Sequence, residues 1–483
     1  MILTVFTSWR LSALTSFFLD QYGCAKNQVD GELIISRLQN LGFSRTLEAE
    51  KADLIIINSC GFIESAKQES LNALIEARAT YPRAKIILAG CLAERYAEVF
   101  TNELPEADGI VGNGDLAVFD KVMEEIRQGS RPIYKMPQKT VCCGERKEFL
   151  SFPGSAYVKI TEGCDNHCSF CAIPLIRGSL RSRAAEEIIE EIKALLACGV
   201  FEINLVGQDS AAYGMDGISP HNPKVWQSFD GTKSEKSPLA ALLQKISSLP
   251  GNFWLRILYI HPDHFPLDIL PIIASDKRLL PYFDIPFQSG SDSIINAMNR
   301  IGNAASYIEL ISRIRSDFNS TSYGSIALRT TFLTGFPGET DKDAKATEAF
   351  LAQIKPDWSG TFTYSQEEDT PASKMKKQVP LKISTARAKL LEKLQEKVTC
   401  QALKKRVGQN YDVLVEEIIE GGDGEGTGLA IGRAWFQAPE VDGAVVIRYD
   451  FDADTIQKVV PGNVLSVYVD GISGVDLTGY FES

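Results

Sequence analysis

The sequence predicts an α/β protein in three parts: an N-terminal open parallel sheet, a central partial barrel of six strand–helix units, and a small C-terminal β-barrel. Three observations predict it. Strand-like apolar runs alternate with helical patterns over most of the 483 residues, which implies parallel sheets with helices on their faces. The alternation stops at a charged helical stretch, "LKISTARAKLLEKLQEKVTCQALKKRVG". Beyond it come short β runs with Gly-rich turns, the pattern of a small barrel.

Residues 17–140 form the first part. Its strand runs are "FFLDQYG", "ADLIIINSCG", "AKIILAGC" and "GIVG". Between the first two, "NQVDGELIISRLQNLG" has apolar residues near period 3.6 and ends on Gly42, a helix C-cap. Residues 150–380 form the second part. Six runs mark its strands: "YVKIT", "FEINLVG", "FWLRILYI", "YFDIPF", "IALRTTFLTGF" and "GTFTYS". Six units imply a barrel open on one side rather than an eight-fold closure. A polar insert at 215–237 reads as a long surface loop. Residues 381–410 are a helical connector. Residues 411–483 carry "YDVLVEEIIE", the turn "GGDGEGTG", then "LAIGRAWFQ", "GAVVIRYD" and "VLSVYVDGI".

Composition narrows the function. With 44% hydrophobic and 23% charged residues, the chain has the make-up of a soluble protein with a sizeable core in each part. Ten cysteines in this length are no disulfide framework. No uncharged apolar run reaches the roughly 18 residues of a membrane span, and a cytoplasmic location is expected. The opening residues "MILTVFTSWRLSALTS" lack a charged start and a small-residue cleavage site, so they read as an extension rather than a signal peptide. The net charge of −12 is uneven: from Tyr411 onward 14 acidic residues face only Arg433, Arg448 and Lys458. Phosphate binding needs Lys and Arg to displace counterions. The terminal barrel is therefore unsuited to RNA, direct tRNA binding is not expected, and a basic protein partner fits.

The stretch "EGCDNHCSFCAIPLIRG" carries the chemistry. Cys164, Cys168 and Cys171, spaced C-x3-C-x2-C, follow the first barrel strand, at the end where active sites collect. Buried structural cysteines would not cluster on a loop of Asp, Asn, His and Gly. Disulfides would leave one cysteine over. A structural zinc site wants four ligands, commonly as two separated pairs, and His167 as the fourth would crowd a tetrahedron. Three thiolates fit a [4Fe–4S] cluster with one iron open to a small molecule.

Cys24, Cys60 and Cys91 are a second trio, 36 and 31 residues apart. Each ends a strand and begins a loop, and in a parallel sheet those ends share one edge where ligands bind. A lone cysteine would read as core; three at equivalent ends read as a second open cluster. Helices beginning after these loops would aim their N-termini at it. Cys142, Cys143, Cys198 and Cys400 receive no role.

The C-x3-C-x2-C loop, with Phe170 before its last cysteine, resembles the radical S-adenosylmethionine (SAM) superfamily. There SAM chelates the open iron and is cleaved to a 5′-deoxyadenosyl radical. The resemblance implies SAM contacts from Phe170 and Ile173 on the loop and from Arg183 in "LRSR". It also implies Gln208 and Asp209 in "GQDSAAYG", Gln288 in "DIPFQSGSD" and Arg329 in "RTTFLTGFPGE". The three parts together resemble the methylthiotransferases, whose terminal piece is a TRAM domain, here including "GLAIGRAWFQAPEVDGAVVI". Such enzymes place a methylthio group at an unactivated C–H bond, which implies two [4Fe–4S] clusters, SAM and an external electron donor. One branch modifies a hypermodified adenosine beside the tRNA anticodon. The other modifies the β-carbon of an aspartate in small-subunit ribosomal protein twelve. "GCAKNQVDGE", "NSCGFIESAKQES" and "GRAWFQAPEVDG" resemble the ribosomal-protein branch, as does the acidic terminal part. The tRNA branch, a non-catalytic iron–sulfur carrier and a zinc-stabilised RNA-binding protein remain as alternatives.

Overall fold

The computed structural model describes residues 14–135, 140–217, 226–227, 233–234, 236–419, 427–450 and 452–482. The N-terminal extension, most of the 215–237 insert and most of the "GGDGEGTG" turn lie outside the described residues. The chain divides into two compact units, one of Met1–Leu150 with Leu175–Arg177, the other of Ser151–Pro174 with Gly178–Ser483.

In the first unit, β1 (Ser16–Gln21), β2 (Ser44–Arg45), β3 (Leu54–Ser59), β4 (Lys85–Gly90), β5 (Gly109–Val111) and β6 (Ile133–Tyr134) form one sheet in the order β2-β1-β3-β4-β5-β6. Every pairing is parallel. β3 is buried along its whole length, which explains the apolar run Leu54–Ile57 that fills most of it: both faces are covered. Ile55, Ile57, Ile86 and Leu88 pack with Leu74 and Ala77 of the helix Glu64–Thr80. The helix α1 (Ala25–Asn40) ends as expected, with Gly42 at φ +88° just past its cap.

The first half of α1 is unusual. Lys26, Asn27, Gln28, Asp30 and Glu32 are all buried, and polar groups out of water require partners. Glu32 meets Arg146 at 2.6 Å and also accepts from the Leu150 amide at 2.8 Å. Arg146 and Leu150 are thereby tied to the first unit.

The second unit begins with β7 (Ser155–Lys159), β8 (Glu202–Val206), β9 (Trp254–Ile257), β10 (Leu279–Asp284), β11 (Ala327–Thr334) and β12 (Trp358–Thr363). They lie side by side in chain order, all parallel, with β7 and β12 at the two edges. This is the expected open six-stranded barrel. The connector is one helix, Leu381–Lys404. The terminal β13 (Gln409–Ile419), β14 (Thr427–Ala434), β15 (Val445–Asp450), β16 (Val464–Ser473) and β17 (Asp476–Phe481) close in the order β13-β14-β15-β17-β16. β17, "DLTGYF", was absent from the strand runs read in the sequence. It pairs with both β15 and β16 and so removes the last free edges.

Within this unit the terminal barrel sends residues 435–442 against the partial barrel. Arg256 Nη1 donates to the Trp435 carbonyl at 2.9 Å, Trp358 Nε1 to that of Phe436 at 2.7 Å, and Tyr282 Oη to Asp442 at 2.5 Å. Among the described residues no helix is long and apolar enough to cross a membrane.

Candidate active site: two cysteine triads

The barrel triad sits on a loop fixed by backbone bonds. Cys164 N donates to the Gly178 carbonyl at 3.1 Å and Cys171 N to that of Cys168 at 3.0 Å. Ser169 N reaches the Met298 carbonyl at 3.0 Å, and Asn299 Nδ2 that of His167 at 3.0 Å. Gly163 opens the loop at φ +75°, and a Cβ there would run into the Ser179 carbonyl; only glycine fits. Each sulfur faces a donor. Asn166 Nδ2 lies 3.3 Å from Cys164 Sγ, the Ile173 amide 3.5 Å from Cys171 Sγ, and Arg300 hydrogen-bonds Cys168. Burial pushes the Cys164 thiol up, and Asp209, Cys171 and Cys168 push it further. Bare thiols in such a place stay protonated; a bound metal ionises them outright.

Asp209, expected at the SAM amino group, is 1% exposed and held by protein groups. Its carboxylate accepts from Asn166 Nδ2 at 2.7 Å, meets His264 Nε2 at 2.5 Å and accepts the Ala211 amide at 3.0 Å. Burial alone would raise this carboxyl; His264 and His261 outweigh burial and hold it well below the usual range. Asp209 thus supports Asn166, which supports Cys164. Arg329 is similarly engaged, 3.2 Å from Asp284 and 3.4 Å from Asp442. Arg183 donates to the Lys159 carbonyl at 2.8 Å and pairs with Glu191. Gln288, beyond the end of β10, has φ +68° and forms an isolated bridge with Phe332 of β11, its amide on the Thr331 carbonyl at 2.8 Å. Phe170 packs against Ile294, Met298, Phe336 and Ala372.

Gln208 stands differently. Its Nε2 donates to Glu162 at 3.0 Å, while its Oε1 is buried without a partner. Thr161 Oγ1 and Asn166 Oδ1 are buried and unpartnered as well. Three orphaned polar oxygens beside the strand C-termini are what a polar ligand with its own donors would satisfy.

The N-terminal triad follows β1, β3 and β4, three adjacent strands. Cys24 precedes α1, and Cys91 opens the helix Cys91–Glu103. Gly23, at φ +90°, lets the chain turn against Cys60: a Cβ there would lie 3.3 Å from Cys60 Sγ. Burial pushes the Cys60 thiol up to about 12, with Cys91 and then Cys24 adding to it, so the three sense one another. Cys91 Sγ lies 3.4 Å from Asn113 Nδ2 and 3.2 Å from Arg177 Nη2. Among the described residues no three His, Cys, Asp or Glu side chains already form a metal-binding group; the donor chemistry, thiols facing N–H groups at strand ends, is what fits a cluster.

Sequence reading passed over Asn113, Asn166, Arg177 and Arg300. Asn113 was findable, because it follows β5 at the same sheet edge as the cysteines. The others depend on loop contacts that no spacing reveals.

An open six-stranded parallel barrel with C-x3-C-x2-C after its first strand defines a radical SAM enzyme. The corresponding family, described as the Radical SAM superfamily, matches residues 158–351, the TRAM domain matches 407–481, and Uncharacterized protein family UPF0004 matches 16–112. The chain belongs to the family of ribosomal protein uS12 methylthiotransferases: it is 50% identical to "Ribosomal protein uS12 methylthiotransferase RimO" of Treponema denticola, over 95% of this chain and 99% of that one. The protein of the same name from Syntrophomonas wolfei is 35% identical over 95% of this chain and 98% of its own. A solved radical S-adenosylmethionine methyltransferase, TsrM from Kitasatospora setae, shares the fold at TM-score 0.51 and 13% identity, covering 74% of this chain and 77% of that one. The radical SAM family implies a [4Fe–4S] cluster and SAM.

Proposed function

We propose that this protein transfers a methylthio group to the β-carbon of an aspartate in ribosomal protein uS12, using two [4Fe–4S] clusters. The observation that carries the reading is the second triad, Cys24, Cys60 and Cys91, on adjacent parallel strand ends. A radical SAM enzyme needs one cluster to cleave SAM; a further three-thiolate site gives a sulfur species somewhere to bind. Cys164, Cys168 and Cys171 would hold the barrel cluster, which when bound with SAM supplies the radical that breaks a C–H bond.

The remaining work belongs to the chain. Asn166 and the Ile173 amide orient two thiolates by donating to them. Gln208 would offer its unpartnered Oε1 to SAM, and the family resemblance assigns further SAM contacts to Phe170, Ile173, Arg183, Gln288 and Arg329. Asp209 positions Asn166. The terminal barrel, 14 acidic residues against three basic, suits a basic ribosomal protein rather than tRNA. The reaction requires an external electron donor and belongs in the cytoplasm, where ribosomal proteins are made.

The test is an anaerobic assay with SAM and two substrates, a uS12 peptide and an unmodified tRNA. The expected product is a peptide heavier by one methylthio group in place of hydrogen. Modified tRNA with unmodified peptide overturns the reading.

A further inference from the structure

Arg177 lies in the sequence of the second part but in the first compact unit, together with Leu175 and Ile176. It is 2% exposed. Its Nη2 lies 2.9 Å from Asp30 Oδ2, 3.2 Å from Cys91 Sγ and 3.4 Å from Asn27 Oδ1. Asp30, 1% exposed on α1, supplies the counter-charge that a buried guanidinium requires. A structural ion pair needs nothing more. Here the same nitrogen also faces a cysteine sulfur that receives a second donor, Asn113 Nδ2 at 3.4 Å. The polar, buried half of α1 thus has a purpose: Asn27 and Asp30 hold a guanidinium against a sulfur.

We propose that Arg177 is the positioning residue of the N-terminal cluster. Its hydrogen bond fixes Cys91 as a ligand and raises the reduction potential of the cluster bound there. N–H groups on ligand sulfurs stabilise the reduced and more negative cluster. Only five residues lie between Cys171 and Arg177, so the segment "CAIPLIRG" provides a ligand for one triad and a sulfur donor for the other. The proposal rests on the reading of Cys24, Cys60 and Cys91 as cluster ligands.

The test uses the full chain with Cys164→Ala, Cys168→Ala and Cys171→Ala, which leaves the N-terminal triad alone to bind iron. Into this background go Arg177→Lys and the double change Arg177→Gln with Asp30→Asn. The double change removes both charges together, so no unpaired buried charge is left to unfold the chain. Each protein is reconstituted anaerobically with iron and sulfide. Iron per chain, the electron paramagnetic resonance of the reduced cluster and its midpoint potential are then read.

The background should hold about four irons. The double variant should lose at least half of them to a chelator that spares the background, and the remainder should show altered g-values and a more negative midpoint. Arg177→Lys, which keeps the charge and one donor, should recover most of the iron. A double variant equal to the background in iron, spectrum and potential overturns the proposal and leaves Arg177 a partner of Asp30 alone. A background without iron overturns the cluster reading as well, and it does so before Arg177 is touched.

Discussion

Glu202→Gln should be among the most destabilising single changes in the second unit. Glu202 is the first residue of β8 and wholly buried, as is Arg256; Arg433 is 2% exposed. Its carboxylate accepts from Arg256 at 2.8 and 3.3 Å, from Arg433 at 2.7 and 3.1 Å, and from Ser155 Oγ at 2.8 Å. After the change Arg433 keeps Glu416. Arg256 keeps the Trp435 carbonyl, the face of the Tyr282 ring, 4.3 Å from its guanidinium carbon, and a neutral amide oxygen, but among the described residues no carboxylate hydrogen-bonded to it. One buried cation therefore loses its counter-ion, which costs about 4 kcal/mol.

With a urea slope of about 3 kcal/mol per molar, that loss lowers the unfolding midpoint by more than about 1 M. Trp254, Trp358 and Trp435 all lie in this unit, so tryptophan fluorescence reports the transition. The effect also depends on pH. Burial pushes the Glu202 carboxyl up, but Arg433 and Arg256 outweigh it and hold it well below the usual value. A depressed carboxyl contributes stability that is complete above the unfolded value of about 4.3 and fades as pH falls below it. The gap between wild type and variant should accordingly narrow in acid. A difference under about 1 kcal/mol at neutral pH, or one that persists undiminished into acid, refutes the reasoning.

Three further outcomes are expected. Cys164→Ala should abolish 5′-deoxyadenosine formation from SAM under reducing, anaerobic conditions; continued cleavage would remove the barrel triad from the chemistry. Anaerobically purified protein should contain about eight irons with matching sulfide, and a Cys24, Cys60, Cys91 triple alanine variant about four; zinc without sulfide would contradict both sites. Burial pulls the His264 imidazole down, but Asp209 outweighs it and holds it above the ordinary histidine value. Its stabilising contribution is then full below about pH 6.5 and fades as pH rises through the folded value. His264→Gln should flatten the decline of the urea midpoint as pH rises above about 6.5, and an unchanged slope argues against the pairing.

The fold was legible where periodicity is strong. The ten strand runs of the two parallel sheets correspond to β1, β3, β4, β5 and β7–β12, because strands covered on both faces are mostly apolar. β17 escaped because Asp476 and Gly479 interrupt its run, and its place is decided by barrel closure rather than by local preference. The six cysteines were legible because strand ends in parallel sheets are equivalent positions. Side-chain partners were not. Nothing in "GQDSAAYG" distinguishes a carboxylate that grips a ligand from one that holds Asn166, and nothing in "RTTFLTGF" announces that Asp442, over a hundred residues later, pairs with Arg329. Such pairings are settled by tertiary contacts of very long sequence separation.

The partial barrel divides its work between its two ends, and charge shows why. At the strand starts, Ser155 and Glu202 stand opposite one another in register, and the buried arginines that serve Glu202 also hold carbonyls of the terminal barrel, at Trp435 and Gln437. Every charge there is matched within the protein, which is the condition for a structural joint. At the strand ends the balance is left incomplete. Gln208, Thr161 and Asn166 each keep a buried oxygen without a donor. A domain that only had to be stable would have filled those positions with apolar side chains. Arg329 lies between the two regimes. Asp284 on its own sheet and Asp442 from the terminal barrel both hold it, and burial keeps the Asp442 carboxyl up near about 6 although Arg329 pulls it down. The terminal barrel is therefore more than an appended binding module: through Asp442 it fixes a side chain on one of the strands that carry the site, and removing it would unbalance the barrel from below.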